Sequence, residues 1–143
     1  MLQVDGLKGE ITTFDNPKVP LKPQELPGFL IDNHTRATHQ RLSRSELQTT
    51  RDFFVLVIVE EFADGNVKAK QDAYDACEPF VDNIPLIFAR NPALLDADGK
   101  ELPGVAGYDF RDEGAGETVR ETKRFSAIPL IVTVVYVRNV APA

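Results

Sequence analysis

The sequence predicts an α+β fold: a largely antiparallel sheet of four to five strands, with a kinked helix or two abutting helices packed on one face. Two long apolar runs, residues 53–59 (FFVLVIV) and 128–137 (IPLIVTVVYV), have the β-branched and aromatic texture of strands. Between them, Ala73, Cys77, Phe80, Ile84 and Phe88 recur at steps of four, three, four and four, the period of a helix. Neither long run alternates between apolar and polar residues. Phe53, Val55, Val57 and Val59 fall on one face of the first, and Phe54, Leu56 and Ile58 on the other. The second sets Ile128, Leu130, Val132, Val134 and Tyr136 against Ile131, Val135 and Val137. Both faces of the sheet therefore want cover, while the chain holds helical material for one layer. A fold-over of the N-terminal arm or of the basic hairpin would hide part of the second face, and identical neighbours would cover the rest.

The elements follow in order. Residues 1–25 read as an extended arm carrying Pro17, Pro20 and Pro23, with a short strand expected over residues 10–14; a single domain occupies residues 26–143. The P-x-x-P-x-x-P spacing fits a stiff linker better than a polyproline ligand. Residues 26–33 (LPGFLIDN) form a short strand opened by Pro27 and Gly28. Residues 34–48 are polar and basic, either the tip of a long hairpin or a loop leading into the strand over residues 49–61. A turn at residues 63–66 precedes a helix capped by Asp64 or Asn66. Val67, Tyr74 and Val81 widen its apolar stripe. Pro79 and Pro85 leave the phase intact, so each is expected near a first helical turn, and the helix ends near Asn91 and Pro92. Residues 96–101 form a turn and residues 105–111 a strand. Gly114 and Gly116 supply a flexible connection, and residues 118–137 a long strand or a bent pair broken near Pro129.

With 143 residues, 43% hydrophobic and 27% charged, the chain matches one ordinary globular domain. Its single cysteine excludes an internal disulfide and suits a reducing compartment. Residues 1–10 are polar and lack the apolar segment of a secretory signal, and neither long run has the roughly 20 residues of a membrane-spanning helix. A net charge of −6 argues against general affinity for nucleic acid, yet suits a wall past which DNA slides without sticking.

No catalytic signature stands out, and neither a cofactor nor a metal is expected. Aligning Gly99 with the glycine of a calcium loop puts Leu94 and Val105 where oxygen donors belong, so Asp96 and Asp98 read as a solvated turn. Gly114 and Gly116 lack the third glycine and following helix of a dinucleotide site, and Gly99-Lys100 lacks the Ser or Thr of a phosphate loop. His34 and His39, with Asp32 nearby, lie on opposite faces of an extended chain and read as polar loop residues. Cys77 belongs to the helix stripe and reads as packing. Arg120, Lys123 and Arg124 interleave with Glu117 and Glu121 as a mixed surface strand. The cluster of Arg36, Arg41, Arg44 and Arg51 carries more: it is either a solvated hairpin tip or an arm that docks on an acidic partner surface or touches a phosphate backbone, and in an acidic chain a positive arm can meet the negative surface of an identical neighbour. Together with Phe54, Leu56 and Ile58 on the second face, these arginines are the candidate subunit or partner interface.

This ordering resembles the tail terminator (tail completion) proteins of long-tailed bacteriophages over residues 26–138. The resemblance is carried by the short strand at residues 26–33 after a proline, the strand TRDFFVLVIV at residues 50–59 after a basic loop, the helical block ending in FARNPAL at residues 88–94, and the closing VVYVR at residues 134–138. Members of that family commonly begin with a helix; here a proline-containing arm stands in its place. The resemblance implies a structural role without catalysis: a homo-oligomer, expected as a hexameric ring, that caps the tail tube protein, halts polymerisation and meets the head–tail connector (stopper) protein. DNA would pass through the lumen without sequence-specific binding. The protein would be assembled in the host cytoplasm and carried in the virion neck, with no membrane partner. Two other readings compete: another junction or tail-tube component, and a small-molecule-binding α+β domain or enzyme using Tyr108, Asp109, Asp112 and His34.

Overall fold

A computed structural model of the chain describes residues 6–8, 11, 25–32, 35–120 and 122–140. The two apolar runs become the middle of the molecule. β3 (Glu46–Phe62) and β6 (Lys123–Asn139) are each 17 residues long and pair antiparallel along nearly their whole length, about 55 Å of strand. Two shorter strands lie end to end on the outer side of each. β1 (Gly28–Ile31) and β2 (Arg36–Arg41) pair with β3, while β4 (Val105–Asp112) and β5 (Gly116–Arg120) pair with β6. The result is one six-stranded antiparallel sheet, so the α+β class holds with one or two more strands than expected.

The extra strands have simple causes. Within the basic segment, residues 36–48 do form a hairpin: β2 runs beside β3 from Arg36 opposite Asp52 to Arg41 opposite Leu47, and it closes where the Leu42 amide donates to the Glu46 carbonyl. The hairpin lies in the plane of the sheet, so it lengthens the sheet instead of folding over its second face. The other extra strand comes from a break sited differently from the expectation. The chain reverses where β5 ends at Arg120 and β6 begins opposite it at Lys123, and β6 runs straight through Pro129. Pro129 accepts a hydrogen bond at its carbonyl from the Glu113 amide, so its nitrogen faces the same edge. At that edge β4 has ended opposite Leu130 and β5 starts opposite Ala127, and the missing N–H therefore costs no ladder bond.

The helical layer is α1 (Val67–Asp75) and α2 (Glu78–Arg90), joined through Ala76 and Cys77. Asn66 is the cap that starts it, its Oδ1 accepting from the Ala69 amide at 3.0 Å. Pro79 sits in the first turn of α2 as expected. Pro85 lies inside α2, which continues past it; the bend falls at Ala76–Cys77 instead. Of the stripe, Ala73 is fully buried, and Cys77, Phe80 and Ile84 pack against Val57, Val59, Ile128 and Leu130. Phe88 extends it, stacking on Phe110 with ring centroids 4.4 Å apart. Tyr74 meets Phe62 edge-on, while Val67 is 83% exposed and lies outside the stripe.

The opposite face has a smaller core of its own. Ile11 packs with Leu30, Ile58 and Phe125, held by its amide donating to the Phe29 carbonyl at 2.8 Å. The Lys8 amide similarly donates to the Pro27 carbonyl, so Lys8 and Ile11 flank the free side of β1. Apart from Ile11, the strand expected over residues 10–14 lies outside the described residues, as do the three prolines of the arm.

Candidate functional site

The most distinctive surface is the second face of the sheet beyond Ile11. Residues pairing across β3 and β6 share a face, so Phe54 sits beside Ile131 and Leu56 beside Pro129. β1 adds Leu30 from one side, and the link after β4 adds Glu113 from the other. Together with Asp32 these residues line an open, mainly apolar groove of about 340 Å³ across the width of the sheet. A polar depression of about 200 Å³ continues it, lined by Asp52, Asp109, Arg111, Ile131 and Thr133. Thr133 donates to Asp52 at 2.7 Å, and Arg111 pairs with Glu113 at 3.3 Å. Farther along β6, Val135 and Val137 are half-buried on this same face.

The structure separates the four arginines. Arg36 reaches over the Phe54 ring, 5.6 Å from its centroid, and pairs with Asp52 at 3.8 Å, so it borders the groove. Arg51 belongs to the opposite face and donates to Thr35 at 2.8 Å. Arg41 and Arg44 stay together at the exposed hairpin tip, on either side of Leu42, which is 47% exposed. Phe54 and Leu56 line the groove. Ile58 departs from the expectation: it is 1% exposed under Ile11 and Phe125, and it serves the core. The groove partners Ile131, Pro129 and Glu113 escaped sequence reasoning, because they reach the site only through the β3–β6 register and the β4–β5 gap.

Of the residues offered for small-molecule chemistry, the three described ones, Tyr108, Asp109 and Asp112, do not converge. Tyr108 donates to the carbonyls of Phe88 and Asn91 on the helix side of the sheet, and burial raises its phenol above the ordinary value. Asp109 is exposed on the other face and accepts from the Phe110 amide. Asp112 accepts from the Gly114 amide, and His34 lies outside the described residues. His39 bonds Thr49 at 2.9 Å, and among the described residues no group of three or more His, Cys, Asp or Glu side chains is placed to hold a metal. The Asp96 carboxylate accepts from the Asp98 and Lys100 amides, which accounts for that turn without an ion.

Cys77 is fully buried between helix and sheet. Desolvation pushes its thiol up, partly offset by a hydrogen bond with Ser126, with Glu60 and Glu78 adding to the rise. A buried, neutral thiol is a packing group. Arg124 pairs with Asp64 and Glu117, each at 3.3 Å, and Lys123 with Glu61 at 3.9 Å, the mixed surface its sequence suggested. No helix among the described residues is long and apolar enough to cross a membrane. No protein-family model matches this chain, and no curated protein matches it either.

Proposed function

We propose that this chain is a structural subunit of a closed ring at the head-proximal end of a phage tail tube, ending tube polymerisation and joining tail to head connector. One observation carries the assembly part of this reading. The central strand pair is apolar on both faces, the helices cover one, and Phe54, Leu56, Ile131, Val135 and Val137 remain half-buried on the other. Soluble chains seldom leave an apolar groove such as the one lined by Phe54, Leu56 and Ile131 without a partner. A head-to-tail contact between identical subunits satisfies all copies when it closes into a ring. The net charge of −6 suits a lumen through which DNA moves without adhering. The assignment to the tail end rests on the resemblance in element order over residues 26–138.

Electron microscopy of the purified chain tests the reading. Single rings with a central hole, which stop at one layer, are the expected result. Long tubes would make it a tube component instead. Isolated small particles at every concentration would remove the assembly reading altogether.

A further inference from the structure

Resting on the ring reading above, we propose the contact that closes the ring: the hairpin tip Arg41-Leu42-Ser43-Arg44 of one copy seats in the Phe54–Ile131 groove of the next. Three features support it. First, the shapes match in kind. The groove is open, apolar and about 340 Å³, and the tip presents one exposed aliphatic side chain, Leu42, flanked by two arginines whose stems can lie along its walls. Second, the charges complement. Asp32, Asp52, Asp109 and Glu113 border the groove and its polar continuation against Arg36 and Arg111, an acidic excess facing a tip whose Arg41 and Arg44 outnumber Glu46. Third, a copy cannot serve itself. The tip joins β3 at Glu46, and Leu56 lies ten positions along that same straight strand, roughly 30 Å away. Tip and groove also lie at different places on the subunit, so the contact is heterologous, the kind that generates rings.

The test uses the full chain in sedimentation velocity. Reversing the tip with R41E/R44E should raise the concentration needed for assembly by about tenfold or more. Reversing the rim with D109K/E113K should do the same, and mixing the two variants should restore assembly, because each tip then meets a groove of opposite charge. Circular dichroism matching the unaltered chain keeps misfolding out of the comparison. Independently of charge, oxidising a mixture of L42C and I131C chains should trap covalent dimers that neither chain forms alone, since Cys77 is fully buried. If the unaltered chain assembles but both reversals keep its full mass and no dimer is trapped, another occupant fills the groove; this contact is then wrong and the ring reading stands. A chain that is monomeric throughout overturns both.

Discussion

Two isoleucines on one strand, three positions apart, separate a covered face from an open one. Ile128 is fully buried beneath the helices, in the cluster with Val57, Phe80 and Ile84. Ile131 lies on the opposite face, lining the groove and half-buried. Replacing Ile128 by Ala removes three carbon groups at about 0.8 kcal/mol each and leaves an enclosed cavity, for a loss of about 3–4 kcal/mol. The same change at Ile131 forfeits about half the transfer energy and leaves no closed void, a loss of about 1 kcal/mol. With a urea slope of about 1.5 kcal/mol/M, the midpoint should fall by about 2 M for Ile128→Ala and by less than 1 M for Ile131→Ala. The unfolding is followed by far-UV circular dichroism, at a protein concentration low enough that subunits are dissociated, since assembly would add its own stability. Equal losses at the two sites would refute the reasoning, because both faces would then be equally enclosed within one subunit.

Other perturbations follow from single contacts. Asn66→Ala removes the Oδ1 that accepts from Ala69 and should cost about 1 kcal/mol in the same urea assay. Gly104→Ala should cost more than 1 kcal/mol, since φ is +78° there and a Cβ would come within 3.3 Å of the Val137 carbonyl oxygen. The folded chain holds the Cys77 proton more tightly than the unfolded chain does, so this group's contribution is complete below the unfolded thiol's pKa, near 8.5, and is lost as pH rises through the higher folded value. Stability should thus decline on the alkaline side, and Cys77→Ala should flatten part of that decline in urea midpoints measured against pH. A thiol reagent at neutral pH should label Cys77 only as fast as the chain unfolds; immediate labelling would contradict its burial.

Much of the fold was legible because its signals are local. The stripe from Ala73 to Phe88 fixed the helix and its buried side, and the doubly apolar runs marked the two central strands. What escaped depends on neighbours distant in sequence. The reversal between Arg120 and Lys123 is marked in the sequence by no Gly, Pro or Asn, and charged residues at 120, 123 and 124 disguise it as continuous strand, while Pro129 drew the break to itself. Only the gap between β4 and β5 explains why that proline is harmless. Likewise, Pro85 lies in mid-helix, where the tertiary contacts of Phe80, Ile84 and Phe88 outweigh one lost hydrogen bond. The groove was partly legible: Phe54 and Leu56 could be named from sequence on the second face of the sheet. Ile58 needed Ile11, about fifty residues away, to be recognised as core.

The mass of the native particle tests the central claim most directly. Native mass spectrometry of the purified full chain should find a closed species of several copies, expected at six times the 15.9 kDa subunit, with no ladder of larger assemblies. A 15.9 kDa species alone, persisting up to the highest concentration that stays in solution, would contradict the account.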